Sequence, residues 1–309
     1  MGRVVEQGIQ SLNGTLTARA DSQAASSTPR SRAGWLLLPS LALVLLGLIL
    51  PLFLMAKYSV SHFEAGAVVA EGLTLENYVR FFSDPFYLWI LLRTLTVAFS
   101  CTVVCLLLGL PAAYILSRIS HPIIKTALIL ATVVPLLMGN AVRAAGWMVL
   151  LADRGLVNST LIFTGIISEP VRILYTGSAV VIGLIAVLLP FMIISLQSVF
   201  EGIGEIYEEA ALSLGARPWK MFFRVLLPLA VPGIFSGCLL CFVLAVNAYA
   251  TPVLIGGPSF QMMAPKVYEQ AIKVYNWPFA ASLAFILMGV TFILTVLSSL
   301  TLQKRYGTV

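Results

Sequence analysis

"EEAALSLGARPWKMFFRVLLP", residues Glu208 to Pro228, crowds two carboxylates, two arginines and a lysine between two long apolar runs. The chain of 309 residues is 59% hydrophobic and only 10% charged, so this knot of charge restricts where the stretch can lie. An ionised side chain at the centre of a bilayer costs about 2.5 to 3.5 kcal/mol on insertion scales. The stretch therefore belongs outside the lipid, and the apolar runs on either side of it belong inside.

Its own pattern predicts a helix, a bend and a second helix. From Glu201 to Gly215 the apolar residues Ile203, Ile206, Tyr207, Ala210, Ala211 and Leu214 recur at helical spacing, while Glu201, Glu205, Glu208 and Glu209 gather elsewhere around the turn. Gly215 suits the left-handed position that ends a helix, and Pro218 suits the first turn of the next. The second piece, "PWKMFFRVLLP", presents Lys220 and Arg224 four apart and re-enters the membrane at Pro228.

Working outward, a mean hydropathy of +0.97 lies far from that of a water-soluble domain. Six apolar segments stand out, roughly 35–56, 88–117, 123–151, 174–198, 230–255 and 278–302. Each is long enough to cross a hydrocarbon core of ~30 Å at about 1.5 Å per residue. The expected fold class is all-α, a polytopic bundle of six transmembrane helices spanning 35–309. Residues 1–34 read as a disordered cytoplasmic tail, because "SQAASSTPRSRAG" lacks large aliphatic and aromatic residues. The run that begins at Trp35 exceeds the apolar core of a secretory signal and is read as a retained span.

The net charge of +6 does not point to nucleic acid, because the basic residues are spread over many loops. With the N-terminus inside, eleven of the 19 Lys and Arg residues fall on inner segments and eight on outer ones. The short inner connections carry that bias, so both termini are expected in the cytoplasm.

Smaller features refine the picture. "TLENYVRFF" predicts a short interfacial helix with Thr74 as N-cap, Glu76 in its first turn, and Leu75, Tyr78, Val79 and Phe82 on one side. Gly109 and Pro111 are expected to kink the second span. "GNAVRAAGW", Gly139 to Trp147, reads either as a span end with Arg143 snorkelling to the interface or as a bent, partly re-entrant piece lining a cavity. In the second case Asn140, Arg143 and Trp147 face a pathway. Asn247 and Tyr249 lie in the outer half of the fifth span, and Gly233 with Gly237 lets another helix approach closely. Cys101, Cys105, Cys238 and Cys241 lie in apolar runs; with neither His62 nor His121 in a span, buried small side chains are favoured over a metal site.

The opening stretch resembles the EAA signature of the inner-membrane permeases of binding-protein-dependent ABC importers: E-A-A, three residues, G, nine residues, I-x-L-P. Glu209, Ala210, Ala211, Gly215, Leu227 and Pro228 fall in register, with Val225 at the Ile position. "TLENYVRFFSDPFY", "RGLVNSTL", "LPFMIISLQSVF" and "TPVLIGGPSF" followed by "NWPFAASLA" are similar to the spermidine/putrescine type of these permeases. The likeness covers about residues 70 to 290.

That resemblance implies a permease subunit of an ATP-driven importer in the bacterial inner membrane, carrying a polyamine or similar solute delivered by a soluble substrate-binding protein. It implies a separate ATP-binding subunit docking on residues 201–228, with Glu208 and Glu209 as acids, Ala210 and Ala211 as the small face, Gly215 as the turn, and Leu227 and Pro228 closing the motif. It implies pairing with a second, homologous permease. No cofactor is expected on the chain itself: no lysine follows a glycine, so there is no Walker A loop, and ATP belongs to the partner. Asn140, Arg143, Trp147, Asn247 and Tyr249 are expected to line the pathway. An ion-coupled secondary transporter is the alternative, which the absence of acidic residues from the spans disfavours.

Overall fold

A computed structural model describes residues 30–64 and 72–306. The chain divides at Met55 and Ala56 into two units. The first is represented by most of helix α1 (Arg30–Ser59), whose side chains from Leu41 to Met55 are almost all exposed, as those of a lipid-facing span are. The helix begins at Arg30, so the predicted tail of residues 1–34 loses its last five residues to it. The rest of that tail lies outside the described residues.

The second unit continues with α2 (Glu76–Ser83), α3 (Pro85–Ser117), α4 (Pro122–Leu137), α5 (Asn140–Leu151), α6 (Leu156–Phe163), α7 (Gly177–Gly202) and α8 (Ile206–Ser213). After these come α9 (Pro218–Val246), α10 (Met263–Tyr268) and α11 (Trp277–Tyr306). Among the described residues no strand forms. The helices α1, α3, α7, α9 and α11 are long and apolar enough to cross a membrane. The predicted third span is instead the bent set α4 to α6, with an angle of 96° at the break. Counting it as one span gives six. The bend has a local cause: Pro135 removes a backbone donor near the end of α4, and Met138 and Gly139 are both extended.

The core lies between α3, α7 and α9, with α11 against its flank; Ala98, Cys101, Cys105, Met192, Leu196 and Cys241 are fully buried there. In lipid, apolar side chains gain little by leaving acyl tails, so helices associate through close packing and buried polar contacts. Both are present. A side chain at Gly233 would run into Val199, and one at Gly237 would meet Ser195 Oγ at 3.0 Å, so the small-residue spacing brings α9 onto α7. Gly109 likewise lets Met192 of α7 lie against α3, which continues as one helix through Pro111. Cys101 and Cys105 donate weakly to the Val181 and Ile185 carbonyls of α7, at 3.7 and 3.9 Å.

Three local expectations change. The charged segment from Glu201 is not one helix: its first two residues end α7, and Ile203–Gly204 turn the chain into α8. The second short helix does not stop at Pro228 but continues into the span. A π-turn at Phe222–Leu226 makes this possible, since its wider ladder takes up the bond that Pro228, lacking an N–H, cannot donate. The same span ends at Val246, earlier than predicted, with Asn247 as its C-cap and a further π-turn at Pro252–Gly256. In α2 the packed residues are Asn77 and Phe81, whereas Leu75, Val79 and Phe82 are exposed. Asn77 is held by the Ser59 and Ser61 carbonyls at 3.2 and 2.9 Å. Asn77 and the fully buried Phe81 together anchor this helix, and its other apolar side chains face outward.

Candidate functional site: the α8 elbow and the polar cavities

Helix α8 sits where the ends of α3 and α7 meet the start of α9. It closes with a Schellman motif: Gly215 N–H donates to the Leu212 carbonyl at 2.9 Å and Ala216 N–H to the Ala211 carbonyl at 3.1 Å. Gly215 has φ +81°, with open space around it, so backbone conformation and not crowding calls for glycine. Pro218 then opens α9 without sacrificing a bond.

Two carboxylates adjacent in sequence have opposite fates. Glu209 is exposed, as is Ala210; Glu208 and Ala211 face the bundle, Glu208 only 8% exposed. Glu208 accepts from Arg118 Nε at 2.8 Å and from Arg118 Nη2, and its other oxygen accepts from the Tyr114 hydroxyl at 2.9 Å. Arg118 also donates to the Phe200 and Ile203 carbonyls at 3.1 and 3.3 Å, satisfying the last turn of α7. Tyr114 packs edge-on against Phe200 and Phe222, with centroids 5.8 and 5.1 Å apart. One guanidinium therefore clamps α3, α7 and α8 together. A second pair, Lys125 to Glu201 at 2.8 Å, joins α4 to the end of α7. Facing away from the bundle, the elbow shows Ile206, Leu214 and Trp219, each at least 70% exposed.

The predicted lining residues fall into separate places. Arg143 Nη2 donates to Asn140 Oδ1 and to the Met138 carbonyl at 3.2 and 3.1 Å, which pins the guanidinium over the break between α4 and α5. Its Nε and Nη1 are buried without a partner among the described residues. Trp147, one turn on, packs with Ala144, Ala179 and Ile255. Asn247 lines a cavity of about 430 Å³ with Thr291 and Thr295 of α11. Tyr249 belongs to another, of about 290 Å³, with Tyr268, Gln261, Glu269 and Lys273. The Tyr249 and Tyr268 rings lie 4.8 Å apart.

The family model described as the binding-protein-dependent transport system inner membrane component matches residues 23–306. The chain belongs to this family. The spermidine/putrescine transport system permease protein PotB of Haemophilus influenzae is 37% identical over 225 residues, 73% of this chain and 77% of that protein. The PotB of Escherichia coli K12 is 35% identical over 235 residues, 75% of this chain and 85% of its own. The inner membrane ABC transporter permease protein YdcU of Escherichia coli K12 is 31% identical over 278 residues, covering 86% and 85%. A chain of the bacterial alginate ABC transporter, crystallised with a periplasmic protein bound to an alginate pentasaccharide, shares the fold with a TM-score of 0.74 at 16% identity, over 89% of this chain and 95% of that one.

The permease is thus a multi-pass inner-membrane protein and a transport subunit of the ABC-importer class, which rules out the ion-coupled alternative. Several residues of its site escaped the sequence reading. Arg118 and Lys125 read only as inner-side charges, and nothing local told which of two neighbouring acids they would meet. Tyr268 and Glu269 lie in a loop in the sequence, and only the fold sets them beside Tyr249. No local signal marked Arg118 either: it ends α3, but the carbonyls it meets are those at the end of α7.

Proposed function

We propose that this permease forms the translocation pathway together with a second, homologous permease subunit, and that a separate ATP-hydrolysing subunit drives it by seating on α8 and the Gly215 elbow. The observation that carries the reading is the two-sided character of α8. One side is clamped to the ends of α3 and α7 through Glu208 and Arg118. The other offers Glu209, Ala210 and the exposed apolar side chains Ile206 and Leu214 beyond the span ends. An exposed apolar patch rimmed by acids suits a partner with an apolar cleft and basic groups. Displacing α8 would move α3 and α7 with it, and contacts that differ between the two states are what a switch of access requires.

In this reading the elbow and both termini face the cytoplasm, no cofactor binds the chain, and ATP stays on the partner. A soluble binding protein delivers the solute to the opposite end. The names of the relatives favour a polyamine or similar small solute, and the paired faces of Tyr249 and Tyr268 offer a cation a weak resting place. Asn140, Arg143, Trp147 and Asn247 contribute polar or aromatic surface along the way.

The test is uptake of labelled spermidine into proteoliposomes holding the permease pair, the ATPase and the loaded binding protein. Glu209→Lys should lower uptake while leaving the amount of permease in the membrane unchanged. Normal uptake in that variant would remove α8 from the coupling path, and uptake of no polyamine at all would remove the substrate assignment alone.

A further inference from the structure

The cavity that Tyr249 shares with Tyr268 lies beyond the end of α9, about 43 Å along that helix from the elbow. Five of its lining residues carry polar side chains: Tyr249, Gln261, Tyr268, Glu269 and Lys273. The others are Val, Phe, Pro and Gly. At about 290 Å³ it sits at the lower end of the ~300 to 1,000 Å³ of clefts that hold small molecules. It suits one end of a slim solute and excludes a bulky one.

Three features of that lining call for a donor that bears positive charge. Gln261 Oε1 is buried and has no hydrogen-bond partner among the described residues. A buried carbonyl oxygen without a donor is costly, and native sites seldom leave one. Glu269 brings a carboxylate that is only partly buried. Lys266 Nζ stands 3.3 Å from each of its oxygens, but Lys266 is not on the lining; it is buried over the Phe86 ring, 5.3 Å from the centroid. An ionised carboxylate has about four acceptor sites, so Lys266 leaves Glu269 with capacity for a second cation. The third feature is the Tyr249 and Tyr268 ring pair, both exposed, whose faces attract a cation.

We propose that this cavity binds a primary ammonium carried on an alkyl chain. Glu269 supplies the counter-charge, Gln261 Oε1 the acceptor that sets the orientation of the head, and Tyr249 with Tyr268 the aromatic face. An ammonium has three N–H donors, of which the two acceptors take two, so a quaternary head, which has none, is the wrong ligand. Lys273 opposes a cation, but it is exposed and joins no ion pair among the described residues, so its ammonium can turn to water. An anion would satisfy Lys273 alone, leave Gln261 Oε1 without a donor and set a like charge beside Glu269. The site deepens the polyamine reading and rests on it for the identity of the transported solute.

Direct binding tests it. The complete transporter, with 3-fluorotyrosine in this permease only, is placed in nanodiscs, and the fluorine resonance that Tyr249→Phe removes is followed by NMR. The titrants are n-butylammonium, n-butyltrimethylammonium and butyrate. Butylammonium should shift the resonance at concentrations about tenfold lower than its trimethyl analogue, because only the primary amine can donate to both acceptors; butyrate should leave it in place. Glu269→Gln should weaken butylammonium by about tenfold or more. Because that variant also strips Lys266 of its partner, Gln261→Leu serves as the second: it leaves the Lys266 pair intact and should shrink the preference for the primary amine. Lys273→Gln should tighten butylammonium. A response to butyrate that Lys273→Gln abolishes would make this an anion site, equal affinity for the two amines would reduce it to aromatic surface, and a silent Tyr249 resonance would mean no site; each overturns the proposal. Butylammonium binding without spermidine uptake would keep the site and remove the polyamine assignment, whereas spermidine uptake without butylammonium binding would remove the site alone.

Discussion

Arg118→Ala should release α8 from the bundle while leaving the spans in place. The substitution strands Glu208, whose side chain is only 11% exposed, without its cation, and leaves the Phe200 and Ile203 carbonyls without their donor. Removing one partner of a buried ion pair costs about 3 to 5 kcal/mol. Only the Tyr114 hydroxyl remains to satisfy the carboxylate. Because both side chains of the pair keep some exposure, water can enter once Arg118 is gone, so the lower limit applies. About 3 kcal/mol in the docking equilibrium of α8 is roughly a hundredfold larger open population, at ~1.4 kcal/mol for each tenfold.

The assay is hydrogen exchange of the Ile206–Ser213 amides in the full-length permease in nanodiscs, with ATPase and uptake rates measured on the complete complex. Exchange of α8 should rise by about two orders of magnitude, with α3 and α7 unchanged, and uptake per ATP should fall because the elbow now moves without its spans. Arg118→Lys should restore little, since an ammonium cannot reproduce the side-on contact of Nε and Nη2. Glu208→Gln, which keeps an acceptor for Arg118, should be milder than Arg118→Ala. Unchanged exchange across α8 in Arg118→Ala would refute the clamp, and with it the claim that Glu208 and Glu209 do different work.

Three further outcomes follow from the same geometry. Gly215→Ala places a side chain at φ +81°, a left-handed conformation that costs about 1 to 2 kcal/mol, so uptake should fall, whereas Gly215→Asn, tolerant of that region, should lose less; equal rates for all three would show that the elbow geometry is idle. Gly233→Leu drives a side chain into Val199 and should lower the midpoint of thermal unfolding in detergent, while Gly289→Leu, with open space around it, should not; equal midpoints would contradict the packing of α9 on α7. Tyr249→Leu removes one ring of the pair with Tyr268, at a cation–π value of about 0.5 to 2 kcal/mol, and should slow spermidine uptake several-fold where Tyr249→Phe does not; unaltered uptake would take Tyr249 off the pathway.

The sequence reading fared differently at different residues, for physical reasons. Gly215 and Pro218 were legible because their chemistry restricts the backbone wherever they stand, and the elbow forms as they predict. The span positions were legible because hydropathy reports the solvent. The sequence reading of α2 named an apolar side, on which Leu75, Val79 and Phe82 are exposed together, but not what holds the opposite side, where Phe81 is buried and Asn77 is held by the Ser59 and Ser61 carbonyls. The continuity of α9 was misread, since a proline ends a helix only if the ladder cannot widen, and the π-turn at Phe222–Leu226 widens it. For "GNAVRAAGW" one of the two readings had a bent piece lining a cavity, and the 96° bend agrees with the bend in that reading without testing the lining.

By itself, then, the sequence determined the solvent, the helical class, the near-count of spans, the charged elbow outside the lipid and the family that its signature marks. Those properties follow from composition and from constraints acting within a few residues. Tertiary structure alone decided that Glu208 turns inward to an arginine 90 residues away while Glu209 stays exposed, that Tyr249 meets Tyr268 and that Asn247 opens into a different cavity. Adjacent acids on a short helix are equivalent until another helix end supplies a cation, and in a membrane protein that choice is made by packing, which local patterns do not record.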